Sequence, residues 1–94
     1  MSLPENRIPT HPGEILLEEF LVPMRISQAT LARHLGIPFQ RINAIVHGRH
    51  GITPNTAWLL AQAFNTTPEF WMRLQVSYDL ARYRPMKRIG KLGT

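Results

Sequence analysis

The chain contains no cysteine. That excludes a disulfide framework, a thiol nucleophile and the common zinc-finger ligand sets, and it suits a reducing compartment. Acidic residues are scarce: six Asp and Glu stand against eleven Lys and Arg. From Phe20 to Pro68 there is no acid at all. No apolar run approaches the roughly 18 residues that span a bilayer. Met1 to Arg7 carries no apolar signal-peptide region. A soluble cytoplasmic protein with no membrane association is therefore expected. The chain also lacks a nucleophile–base pair, a Gly-rich phosphate loop and a carboxylate pair, since Glu18 and Glu19 are adjacent on a helix and point apart. Neither an enzyme nor a cofactor is expected. The four histidines form no ligand set. His47 and His50 are separated by Gly48 and have no Cys or Asp beside them, so no metal site is expected.

What is present is positive charge, +5 overall with a pI near 10.8. It favours a polyanionic partner, although a solvated face is the ordinary reading of any basic run. Arg25, Arg33, Arg41 and Arg49 are spread through the acid-free stretch. A second such stretch runs from Arg82 to Lys91. The length suits one domain with one modest core, whose stability will lean on helix packing or dimerisation.

Residues 1–10 hold two prolines and little apolar periodicity, and read as a flexible N-terminal arm. Residues 11–84 read as the domain, and residues 85–94 as a basic tail. His11-Pro12-Gly13-Glu14 opens helix 1, with proline preorganised for the first turn and Glu14 facing the positive end of the helix dipole. Ile15, Leu16, Phe20 and Leu21 form its stripe, and Pro23 is expected to end it. Ser27 caps helix 2, Gln28 to Leu35, whose inner residues are Leu31, Ala32 and Leu35. His34 at its end suits the dipole. Gly36 can take the positive φ of a tight turn. Helix 3 runs from about Pro38 to Val46, with Ile42, Ile45 and Val46 inward. Thr53-Pro54 and Thr67-Pro68 start helices 4 and 5. Helix 4 carries Ala57, Leu60, Ala61 and Phe64 on one face. Helix 5 carries Phe70, Leu74, Tyr78 and Ala81 on one stripe and further apolar surface elsewhere. No segment alternates as a strand. The fold class is all-α with five helices.

The specific signal lies between Gln28 and Val46. A helix-turn-helix needs a small residue where its two helices cross, a turn glycine, and apolar residues wedging the helices together. Leu31, Ala32, Leu35, Gly36, Ile37, Ile42 and Ile45 meet those demands. A helical hairpin of any bundle could share them. The segment Ser27-Gln28 to Gly48-Arg49 resembles the lambda-repressor-like, Xre-type domain. The wider pattern resembles the HigA group of antitoxins. It is carried by His11 to Leu16 and Glu18 to Leu21, then Ser27-Gln28, Leu31-Ala32, Gly36-Ile37 and His47-Gly48-Arg49. Ile52-Thr53, Ala57, Leu60-Ala61, Phe64, Trp71, Leu74-Gln75 and Tyr78-Asp79-Leu80 complete it. The resemblance implies a five-helix lambda-repressor-like fold. It further implies a homodimer that binds an inverted repeat in double-stranded operator DNA, represses its own operon and neutralises a co-encoded mRNA-cleaving toxin. A stand-alone Xre-type repressor without a toxin is the alternative, and a protein-interaction module that has lost DNA binding is a third. One departure is Pro38, where the domain class usually has a capping Ser or Thr. It blurs which side chains reach the bases.

On this resemblance Phe39, Gln40, Arg41, Asn43 and Ala44 face base edges. Gln40 and Asn43 can read adenine, Arg41 guanine, and Phe39 a thymine methyl. Phe39 equally suits core filling, and Arg41 a phosphate. Gln28, Arg33, His47, Arg49 and His50 are candidate phosphate contacts, each with ordinary exposed polarity as its alternative. Trp71, Val76, Leu80 and Tyr83 are the candidate dimer face, with Phe70 and Leu74 assigned to the core. Glu14, Glu18 and Glu19 are the only acidic cluster. They are the candidate toxin contact, or else they only complement the helix dipole and solvate an outer face.

Overall fold

A computed structural model describes residues 9–93. The expected arm therefore lies outside the described residues except for Pro9 and Thr10. Among the described residues there are five helices and no strand, as the apolar periodicity requires.

The first helix, α1, spans residues 12–24 and has three parts. Pro12–Ile15 is α-helical, Leu16–Leu21 is a π-helical stretch, and Val22–Met24 closes it. Its N-cap is His11, whose Nδ1 accepts the Gly13 N–H at 2.9 Å. Pro23 does not end the helix, contrary to expectation. The N–H of Val22 bonds back to the Leu17 carbonyl, and this wider turn opens the helix just before the proline ring would crowd a carbonyl. The wide turn also lets Leu16 and Leu21, five residues apart, share the buried face. The helix closes at Arg25, in the left-handed region at φ 56°, with Ile26 N–H donating to Leu21 and Arg25 N–H to Val22. This is a Schellman closure made without glycine.

Helix α2 is Gln28–Leu35 and α3 is Phe39–Val46. Helix α4 is Pro54–Phe64 and α5 is Pro68–Arg82. The expected caps are all made: the side chains of Ser27, Thr53 and Thr67 accept the N–H groups of Thr30, Thr56 and Phe70. Helices α2 and α3 pack on each other, α1 and α4 cover them, and α5 lies along α4 and touches α1. Leu16, Ile42, Ile45, Ala57, Leu60 and Trp71 are wholly buried at the centre.

Helix α5 is rotated from the expected stripe. Trp71 and Gln75 face inward, whereas Phe70 is 37 % exposed. An indole is the largest apolar group available, and its one polar atom is satisfied here because Nε1 donates to Thr66 Oγ1 at 2.8 Å. Burying it costs no unpaired donor. Phe20 completes an aromatic cluster, with ring centroids 4.9 Å from Phe64 and 5.2 Å from Trp71. Two expectations are thereby corrected. Trp71 has no surface left for a dimer contact, and Phe70 is a rim residue rather than a core one.

Candidate nucleic-acid interface

The α2–α3 pair is closed by Gly36 at φ 72°. Gly36 N–H and Ile37 N–H donate to the Arg33 and Ala32 carbonyls, again a Schellman turn. Leu31, Ala32, Ile42 and Ile45 are buried between the helices, while Leu35, Ile37 and Val46 are half-buried against them. Pro38 occupies the N-cap position of α3 at φ −62° and makes no side-chain capping bond. The helix itself begins at Phe39, one residue later than expected.

That start sets the exposed front. Phe39, Gln40 and Arg41 stand exposed, Phe39 at 45 %, which decides against core filling. Asn43 and Ala44 are half-buried. Asn43 is held from both sides. Its Nδ2 donates to Gln28 Oε1 at 3.0 Å, and its Oδ1 accepts from an Arg49 guanidinium nitrogen at 3.3 Å. Gln28 opens α2 and Arg49 follows α3, so one amide braces both ends of the motif. The spacing of these residues gives no sign of this brace, since fifteen positions separate Gln28 from Asn43. A side chain held by two polar partners is oriented before any ligand arrives.

Among the expected phosphate contacts, Arg33, His47 and Arg49 are exposed and Gln28 is half-buried. His47 Nδ1 lies 2.8 Å from the Asn43 carbonyl. His50 is half-buried and its Nε2 is turned inward with no partner. That nitrogen is not placed to meet a phosphate, so a contact by His50 would run through Nδ1. Glu14, Glu18 and Glu19 are all exposed on α1. Val76 and Leu80 on α5 and Tyr83 at its C-cap recur at helical spacing and are 49 %, 71 % and 69 % exposed.

The rear of α3 is gripped by residues that the helix-turn-helix pattern does not flag. The α1 backbone comes so close that a Cβ at Gly13 would collide with the Ile45 carbonyl. The loop after α3 is tied down by Gln75, itself only 8 % exposed. Gln75 Oε1 accepts the Ile52 N–H at 2.7 Å, and its Nε2 donates to Asp79 at 2.9 Å. His11 packs edge-on against Tyr78, with ring centroids 4.8 Å apart. Burial lowers the His11 pKa below the ordinary imidazole value; Asp79 opposes that shift and Arg82 adds to it. His11, Arg49, His50, Gln75, Tyr78 and Arg82 surround a cleft of about 390 Å³. The sequence signal for this grip was the His-Pro-Gly-Glu opening and the Leu-Gln-x-x-Tyr-Asp segment, visible only as family pattern. Among the described residues no cluster of His, Cys, Asp or Glu could hold a metal ion, and no helix is long and apolar enough to cross a membrane.

A glycine-turned helix pair, with an exposed second-helix front and a buried rear, defines a helix-turn-helix protein. The family profile described as helix-turn-helix matches residues 17–71, and the chain belongs to that family. The virulence-associated protein I of Dichelobacter nodosus is 45 % identical over 83 residues, covering 85 % of this chain and 77 % of that protein. A HigA-family addiction module antidote protein from Coxiella burnetii is 49 % identical, with a TM-score of 0.76 over 81 % of this chain and 83 % of that one. The Pseudomonas aeruginosa protein PA4674, solved with its operator DNA, is 45 % identical, with a TM-score of 0.79 over 81 % of this chain and 82 % of that one. The fold is thus the lambda-repressor-like, HigA-type one that the sequence resembles.

Proposed function

We propose that this chain is a cytoplasmic, dimeric operator-binding antitoxin that represses its own operon and neutralises a co-encoded mRNA-cleaving toxin. The observation that carries the DNA-binding half is the exposed front of α3, Phe39, Gln40 and Arg41, held out from a helix whose rear is locked into the core. Such a front fits the major groove, and Gln40 and Arg41 are the types that read adenine and guanine edges. The braced Gln28–Asn43–Arg49 set suits contacts at the edge of the same groove. Support also comes from the solved relative that holds its operator. Val76, Leu80 and Tyr83 offer an apolar stripe for a second copy, which an inverted repeat requires. Selection from random duplexes followed by footprinting tests this. The expected site is an inverted repeat with half-sites about one helical turn apart. Full affinity for a lone half-site would refute it.

The toxin half is supported by likeness to an addiction module antidote protein and by the exposed acids of α1. A ribonuclease that binds RNA tends to be basic, so Glu14, Glu18 and Glu19 are the surface that charge complementarity selects. The double reversal of Glu18 and Glu19 to Lys should weaken toxin binding while operator affinity holds or rises. If no purified toxin of this class binds the intact chain, a stand-alone repressor is the better account.

A further inference from the structure

We propose that the C-terminal segment, residues 84–93, is a second DNA-contacting element, an arm that follows the phosphate backbone beside α3. The proposal rests on the DNA-binding reading above. Its first ground is where the charge resides. The chain carries a net +5, and Arg84, Lys87, Arg88 and Lys91 supply four of those five surplus charges with no acid among them. The folded domain before them is close to neutral. Its acids lie on α1 and α5, while its acid-free stretch Phe20 to Pro68 carries four Arg, so the arm doubles the positive charge that the helix-turn-helix region offers a polyanion.

Its second ground is where the arm begins. Helix α5 ends at Arg82, and Arg82 lines the same cleft as Gly48 and Arg49, the residues that follow α3. Arg49 in turn holds Asn43 of that helix. Arg82 donates to the Tyr78 hydroxyl, one turn back on the same helix, at 2.7 Å. The chain thus leaves the domain beside the loop that follows α3.

Its third ground is that the segment has no place on its own domain. Residues 82–93 are all exposed, and even the apolar Met86, Ile89 and Leu92 are 100 %, 84 % and 95 % exposed. Four solvated cations on an extended chain are free to displace counterions from phosphates. From Arg84 to Lys91 such a chain reaches about 24 Å, some seven base-pair steps along a strand. Contacts of this kind add affinity without reading sequence.

The test compares the intact chain with the quadruple variant R84A/K87A/R88A/K91A by fluorescence anisotropy. Two duplexes of about 30 bp serve as probes, one enriched by selection with the intact chain and one with that sequence scrambled. Salt is varied from about 50 to 200 mM. The variant should bind both duplexes more weakly, with the slope of log affinity against log salt shallower by about 2–4 for each bound protomer and twice that for a dimer, since each phosphate contact contributes about 0.9. The ratio of affinities for the two duplexes and the melting temperature should stay level. An unchanged slope, with the intact chain still preferring the selected duplex, overturns the arm and leaves the helix-turn-helix reading standing. An unchanged slope together with loss of the dimer in sedimentation also overturns it, and assigns the segment to protein contacts. If the intact chain binds neither duplex, the DNA-binding reading falls and the arm with it.

Discussion

The two ends of α3 are held in opposite ways. At the front, Pro38 makes no side-chain cap, and Phe39, Gln40 and Arg41 project into solvent. At the rear, Ile42 and Ile45 are wholly buried, α1 presses on the Ile45 carbonyl, and Gln75 ties down the following loop. The contrast separates two kinds of substitution. Changes at the front should alter what is read and leave the fold alone, because few contacts are lost there. Changes at the rear should loosen the helix that carries the readers, because a close-packed interior cannot absorb them.

The strongest way to break this division is Gly13→Val. Two helix backbones touch there, so α1 must move off α3 to admit a side chain. A loss of about 3 kcal/mol or more is expected, lowering the melting temperature by at least about 12 °C for a domain of this size. A melting curve identical to that of the parent would mean that α1 does not rest on α3. Next in size is Gln75→Leu, which strands the buried Ile52 N–H. An orphaned buried donor costs about 1–3 kcal/mol, and hydrogen exchange at the Ile52 amide should accelerate. If protection at Ile52 is retained, another group accepts that hydrogen and the clamp is not Gln75.

Gly36→Val should be milder, about 1–2 kcal/mol by thermal melting. The left-handed conformation is costly for a residue with a β-branched side chain. Apart from its two chain neighbours, no heavy atom lies within 4 Å of a Cβ at this position, so the cost is chiefly conformational. The front behaves differently. Gln40→Ala should leave stability within about 0.5 kcal/mol yet relax base choice at one position by about 1–3 kcal/mol. Base preference that survives Gln40→Ala in a repeated selection would move the reading surface away from the front.

The smallest effect sharpens the picture of the rear. His11 caps α1 through an unprotonated Nδ1, and burial depresses its pKa from 6.5. The depressed value means that the unfolded chain takes up the proton first as pH falls. The stability from neutral His11 is fully present above about pH 6.5 and declines as pH drops through the folded value. His11→Asn keeps a capping oxygen and does not titrate. Between about pH 7 and 5.5 its melting temperature should vary less than that of the parent; equal variation would place the titrating group elsewhere.

Much of the architecture is legible residue by residue. Ser27, Thr53-Pro54 and Thr67-Pro68 mark helix starts because an orphan N–H needs a nearby oxygen and proline has none to waste. Gly36 marks the turn because a left-handed residue is wanted there. The failures have a common cause. Pro23 reads as a stop, but a wide turn upstream removes its clash. Trp71 and Phe70 are adjacent and both aromatic. Periodicity alone does not say which one α4 and Phe20 will receive, and Thr66, placed to accept the indole N–H, favours Trp71.

The candidate site divides along the same line. Local chemistry, written in the order of residues, settled the helix count, the caps, the turn and the exposed types at the head of α3. Which of those side chains are free and which are braced was decided only when distant elements met. Gln28 reached Asn43, Gly13 came under Ile45, and Gln75 arrived under the loop at Ile52. Local rules act over three or four residues and can be read along a chain. Hydrogen bonds and close approaches between residues 15 to 32 positions apart depend on how whole helices cross, and on packing that exists only once the core has formed.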